Sequence, residues 1–284
     1  MNIRALNYSG NPAESVQELV SVFMNGIRTT ADWYRSAFDD QIRLSGLMFW
    51  VRLEIISLCS TMSKLLFSGG MSCEAIGQAI AQARAQCETL QDIGLNFVYS
   101  FDDALAKPII SAMEKEFDHI SPAMKKAIKD EQFVEFVTLQ DCQVPACMKF
   151  CHDEIVRFMA SFQDMLHSDL GHVLANQLAC LFELCSSSLL DRFYTPETTN
   201  MSNQSILLAM EYLADNFFPS TYHQLTGTFE QDFANLKRLQ SRLSSSIGAM
   251  YDILTENCAA SWLPSTWEPY EIQGELSDDA TVSA

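Results

Sequence analysis

The sequence predicts an all-α fold, an elongated rod of stacked antiparallel helical bundles. Three observations carry that prediction. Glycine and proline are scarce, 11 and 8 in 284 residues, and Ala, Leu, Met, Gln and Glu fill the intervals between them. Apolar residues recur at three- and four-residue steps over long segments. Short polar breaks separate those segments, which makes consecutive helices antiparallel neighbours. The length suffices for a sizeable core, as one domain or two.

Residues 1–10 read as a flexible lead. The first helix starts at "NPAE", where Asn11 caps, Pro12 suits the first helical position and Glu14 stands at a capping-box position. Val16, Val20, Phe23, Ile27, Tyr34 and Phe38 then share one stripe. A second helix runs from about Gln41 to Phe67. It is apolar almost all round near Leu47–Val51, which places it at the centre of a bundle, and "SGG" at 68–70 stops it. Ser72 caps a third helix lined by Ile76, Ile80, Ala83, Cys87 and Leu90. The step from Leu90 to Leu95 is five residues and contains Gly94, so "ARAQCETLQDIGLNF" (83–97) predicts a crease between packed helices.

Further on, Pro108 allows a kink or restart and Ser121-Pro122 offers another start. "FVTLQDCQVPAC" loses the helical pattern and reads as an internal hinge, with Pro145 opening the next helix. Ile155, Phe158, Met159, Phe162 and Leu166 mark one stripe, and Leu174, Leu178, Leu181, Cys185 and Leu189 another. A polar loop covers 194–205, and helices resume at about 204–217 and 222–255. From 256 to 284 there are six acids and no base, which predicts a disordered tail. The expected division is one bundle over 11–143 and a second over 144–255.

The charge narrows the function classes. Residues 1–130 hold 12 bases and 15 acids, while 131–284 hold 6 bases and 21 acids, within a net of −18. Such a surface repels nucleic acid and anionic lipid and favours protein partners. Lys115, Lys125, Lys126 and Lys129 lie among Glu114, Glu116, Asp118 and Asp130, a solvated mixed-charge face. The most apolar segment, "LSGLMFWVRLEIISL", is interrupted by Arg52 and Glu54 and falls short of a bilayer span. No apolar h-region opens the chain. Nine cysteines without a CxxC pair argue against a disulfide framework, and Cys59, Cys180 and Cys185 read as small buried hydrophobes of a cytosolic protein.

Catalytic and metal chemistry find little support. Magnesium-dependent diphosphate chemistry needs D-D-x-x-D, and neither Asp39-Asp40 nor Asp102-Asp103 supplies the third acid. Cys147, Cys151, His152, His167 and His172 do not combine into zinc spacing, because His152 points about 100° away from Cys151 on a helix. Cys87 stands beside Glu88 and near Asp92, acids that raise rather than lower a thiol pKa. No phosphate-binding loop or nucleophile elbow occurs. The residues describe a helical scaffold with neither cofactor nor metal, working through helix surfaces.

Two segments carry a resemblance. "ARAQCETLQDIGLN" resembles the A-R-x-x-C-x-x-L-x-D-I-G-L-D segment in the C-terminal region of the exocyst complex component eight family, through Ala83, Arg84, Cys87, Leu90, Asp92, Ile93, Gly94 and Leu95. "SGLMFWVRLE" resembles that family's S-x-L-x-x-W-x-R-x-E, through Ser45, Leu47, Trp50, Arg52 and Glu54, and Phe38 also fits. The likeness covers roughly residues 15–110. It implies a cullin-repeat-like rod of helical bundles, as in other multisubunit tethering complexes. It further implies a subunit of the exocyst, which tethers secretory vesicles to the plasma membrane before fusion, in contact with other exocyst subunits and reaching the membrane only through them. Family members also carry a coiled-coil arm and a pleckstrin-homology domain that binds Ral-type GTPases. Residues 1–284 contain neither heptads nor a β-rich segment, so a C-terminal portion is expected and Ral binding falls on no residue here. The alternative is an unrelated cytosolic helical adaptor or cargo-binding scaffold. In either reading Trp50, Arg52, Glu54, Arg84, Cys87, Asp92 and Gly94 are expected to be structural.

Overall fold

The structure is a computed structural model that describes residues 12–38, 44–68, 70–167, 170–195, 200–230 and 232–262. The expected lead at 1–10, the Asn11 cap, Asp39-Asp40, the helix start at Gln41 and nearly all of the tail lie outside the described residues.

Among the described residues the fold is all-α with one small hairpin. Its helices are α1 (Pro12–Ala37), α2 (Leu44–Ser68), α3 (Cys73–Glu88) with a 3-10 turn (Thr89–Ile93), and α4 (Val98–Asp130). The strands β1 (Phe136–Leu139) and β2 (Cys142–Pro145) follow. Then come α5 (Ala146–Gln163), α6 (Gly171–Phe193), α7 (Asn200–Glu211), a π turn (Tyr212–Phe217), α8 (Phe218–Phe229) and α9 (Ala234–Trp262). Packing runs in series: α1 lies on α2 and α3, α2 on α4, α4 on α5 and α6, and α6 on α7 and α9. One apolar core runs through all of them, from Val16 to Met250.

Local signals explain most of the boundaries. Ser72 accepts from the Ala75 N–H at 3.3 Å and caps α3, as its sequence position requires. Gly70, at φ +67°, follows the end of α2. The cap of α5 comes from a distance: Glu131 accepts the Cys147 N–H at 2.8 Å with one carboxylate oxygen and the Gln132 and Phe133 N–H groups with the other. That carboxylate sits where the α5 dipole favours negative charge, and nothing in the sequence neighbourhood of α5 announces it.

Several expectations need correction. Pro108 and Pro122 both lie inside α4, which runs unbroken for 33 residues, about 50 Å. Each proline removes one ladder bond, yet Phe101, Leu105, Ile109, Met113, Ile120, Met124 and Ile128 are buried along one face and hold the helix together. Ser121 does not cap a new helix but donates to the Phe117 carbonyl at 2.8 Å. The expected hinge at 136–147 is an antiparallel hairpin with Val137 opposite Val144. Gln140 and Asp141, at φ +50° and +64°, form the two-residue left-handed turn that hairpins prefer. The last break falls at Glu230 (φ +51°) rather than between 217 and 222, because Pro219 is accommodated at the start of α8. Cys180 is exposed, not buried, since it faces outward on α6.

The second helix is corrected twice. It runs 25 residues through Arg52 and Glu54, so α2, like α6, is long and apolar enough by length and composition to cross a bilayer. Its inner stripe of Leu47, Val51, Ile55, Leu58, Met62 and Leu66 is instead buried against α1 and α4. Nor does it lie at the centre of a bundle. Its neighbours cover one side only, and Phe49, Leu53 and Ile56 face outward.

Candidate functional site

The crease at "DIGL" is a helix terminator. The Gly94 N–H donates to the Gln91 carbonyl at 2.8 Å and the Leu95 N–H to the Leu90 carbonyl at 3.0 Å. That pairing, with Gly94 at φ +73°, is a Schellman motif, and Leu90 and Leu95 supply its buried apolar contact. Two arginines of α1, one heptad apart, grip the same end. Arg28 donates to the Thr89 carbonyl at 3.0 Å and Arg35 to the Ile93 carbonyl. A helix C-terminus presents carbonyls with negative partial charge, for which guanidinium is suited.

Arg84 braces the next interface. It donates to Asp102 Oδ1 at 2.7 Å and to the Met165 carbonyl at 3.3 Å, so α3, α4 and the α5–α6 connection meet at one side chain. Asp102 is only 7% exposed. Beneath this pair lie two thiols. Burial pushes Cys87 up to about 12, with Asp102 and then Glu88 adding to the effect. Burial likewise raises Cys59 to about 12, with Cys87 and Asp102 reinforcing it. Both thiols stay protonated at neutral pH, which removes their nucleophilicity. Asp92 and Asp103 are exposed, away from Asp102, so no cleft gathers the three acids.

The residues weighed for zinc each meet a different partner. Cys147 lies beside Glu131, and burial followed by that carboxylate raises its pKa. Cys151 pairs with the Cys185 thiol across the α5–α6 interface. His152 Nδ1 meets the Tyr212 hydroxyl at 3.1 Å, and burial lowers its pKa. His172 is exposed and His167 partly buried. Among the described residues no three His, Cys, Asp or Glu side chains form a group able to hold a metal ion.

The α1–α2 face is open among the described residues. A groove of about 660 Å³ runs between these helices, lined by Val22, Gly26, Thr29 and Trp33 from α1 and by Trp50 and Glu54 from α2. Trp33 is 73% exposed and Phe49 65%, with Leu53 and Ile56 at 49% and 42%. Trp50 is half-buried, Glu54 partly buried and Arg52 exposed. The seven expected structural residues therefore fall into two groups. Arg84, Cys87, Asp92 and Gly94 lie at the α3 end, and Trp50, Arg52 and Glu54 lie on the open side of α2.

Sequence reasoning missed Arg28, Arg35 and the Asp102 partner of Arg84, and it missed the outward stripe of α2. The seven-residue spacing of the two arginines was a usable signal, since it puts both on one helix face. The all-round apolarity of α2 was another, because a helix with an apolar face beyond its core stripe needs a second partner.

Comparison with known proteins bears on this same segment. Residues 1–98 match the family described as Exocyst component 84 C-terminal. Exocyst complex component 8 of Xenopus laevis is 24% identical over 132 residues, covering 46% of this chain and 19% of that protein. The Gallus gallus protein of the same name is 25% identical over 132 residues, with the same coverage of 46% and 19%. Exocyst complex component EXO84 of Cryptococcus neoformans var. neoformans is 24% identical over 104 residues, 36% of this chain and 15% of that protein. The chain thus spans about a fifth or less of the length of these relatives. No solved structure matches it. The family match ends at residue 98, where α4 begins, so it takes in α1, α2, α3 and the crease.

Proposed function

We propose, from the match of residues 1–98 to the family described as Exocyst component 84 C-terminal, that the protein is a non-catalytic subunit of the exocyst. It acts through helix surfaces that contact other exocyst subunits in the cytoplasm and at plasma-membrane sites of secretion. Its part in tethering vesicles is to hold a rigid angle between helices, and its association with the membrane is indirect. Two helical bundles, 11–143 and 144–255, belong to this proposal, joined through α4, α5 and α6 without a gap in the core.

The observation that carries the reading is the coincidence of the family match with α1, α2, α3 and their Schellman-capped end. That segment contains both the bracing residues and the open apolar face. The test is purification of the tagged protein from its own cells under mild conditions. Other exocyst subunits are expected in the same size-exclusion peak at defined stoichiometry. A peak containing this chain and no exocyst subunit overturns the proposal in favour of an unrelated helical adaptor.

A further inference from the structure

We propose that the outer face of α2 docks an acidic amphipathic helix from a partner protein. Phe49, Leu53 and Ile56 would receive its apolar stripe, and Arg52 and Lys64 its carboxylates. The three apolar residues stand at i, i+4 and i+7, which places them on one line along the helix. Trp50, three residues before Leu53, joins that line to the Trp33 groove. α2 therefore has two apolar faces, and among the described residues only the one carrying Leu47, Val51, Ile55, Leu58 and Met62 is covered. An exposed apolar line with i, i+4, i+7 anchors is the geometry by which helices recognise helices.

Charge selects the partner. α2 carries three charged residues. Glu54 is drawn partly into the groove, while Arg52 and Lys64 are exposed. The face is thus apolar with cationic flanks, in a chain of net charge −18. A complementary surface is apolar with anionic flanks. A membrane fits less well, because interfacial helices are rich in Lys and Arg, and two cations do not offset the repulsion between this chain and anionic headgroups. A second copy fits less well too, since α2 against α2 brings the cationic flanks together. Elsewhere among the described residues, Phe150 and Val156 are exposed on α5 but stand six residues apart, about 120° around the helix, and the other exposed apolar residues beyond α1 and α2 are scattered, so no second stripe forms.

The multisubunit reading above supplies the source of such a helix, and the docking chemistry itself stands on α2. The test places the photo-crosslinker benzoylphenylalanine at Phe49, at Leu53 or at the exposed control Tyr99 in the full protein in its own cells, with the fold checked by circular dichroism. The crosslinked segment is then sequenced. Expected are crosslinks from 49 and 53 but not 99, to a segment with helically spaced apolar residues and net negative charge. Arg52→Glu with Lys64→Glu should cut their yield at least tenfold, and Leu53→Asp should do the same to the crosslink from 49. Crosslinks to phospholipid, to a second copy or to a segment without acidic residues overturn the proposal, as does an unchanged yield in the charge-reversed variant. Exocyst co-purification without any crosslink from α2 overturns the docking alone. An acidic helix crosslinked to α2 without exocyst subunits upholds the docking and overturns the assignment.

Discussion

Replacing Arg84 with methionine keeps most of the side-chain length and apolar stem but leaves Asp102 without its cation. The Asp102 side chain is 9% exposed and that of Arg84 18%. Breaking a buried pair on one side costs about 3–5 kcal/mol, and the residual water access of Arg84 brings the expectation to about 3 kcal/mol. The Met165 carbonyl also loses a donor. Asp102→Leu should cost a similar amount, because it strands a guanidinium that is mostly buried. The double variant Arg84→Met with Asp102→Leu should lose about 2 kcal/mol less than the two singles added, because an apolar pair of similar volume satisfies the same space. Urea unfolding followed by circular dichroism measures all three, provided the slope with denaturant stays constant. Costs that add within about 0.5 kcal/mol would refute the coupling. A single-site cost well under 1 kcal/mol would show that water, not Arg84, solvates Asp102.

Three other outcomes are expected. Gly94→Ala should lose about 1 kcal/mol and Gly94→Asn less; the new Cβ meets only Arg35 at 3.6 Å, so backbone strain at φ +73° causes the loss, and equal values for Ala and Asn would contradict that. Gly171→Ala should lose about 1–3 kcal/mol in the same assay, because its Cβ would stand 2.8 Å from Phe229 Cγ where α6 begins; Phe229→Leu should recover part of the loss. Cys59 and Cys87 titrate near 9 when unfolded and at about 12 in the fold. Their stabilising contribution is therefore whole below pH 9 and declines as pH rises from 9 towards 12, by up to about 1.4 kcal/mol per pH unit for each thiol. Denaturant midpoints measured between pH 8 and 11 should fall less steeply for Cys59→Ala, and an unchanged slope would refute the assignment.

The helical class was legible because apolar spacing and scarce Gly and Pro act locally. So were Ser72 as a cap and Gly94 as a break, since both work within a few residues of themselves. The errors arose where distant residues decide. Pro108 and Pro122 are helix breakers in isolation, but a buried face along α4 outweighs two missing ladder bonds. Gln140 and Asp141 lack the glycine that marks most hairpin turns, so the strands on either side looked only non-helical. Glu131 caps a helix that starts fifteen residues later, a relation no local pattern carries. Trp50 stands out through the family resemblance and Gly94 through the five-residue step around it, whereas Arg28 and Arg35 belong to neither pattern.

The bracing residues and the open face are mechanically linked. α1 touches α2 along one side and α3 with its 3-10 turn along another. Its angle over α2 is therefore held in part by what fixes it to α3, which includes Arg28 and Arg35 on the Thr89 and Ile93 carbonyls and Gln17 on Gln82. The Ile93 carbonyl is open to capture because the turn at Gly94 ends the helix there, and the Thr89 carbonyl lies one turn before that end. Trp33 lies on α1 within one turn of Arg35, and Trp50 lies on α2. The separation of the two tryptophans, and with it the width of the groove, thus depends on the far side of α1 as well as on its direct packing against α2. A residue such as Gly94 can shape a binding face without touching a partner, which explains how a motif read as structural packing and a motif bordering an exposed surface belong to one segment.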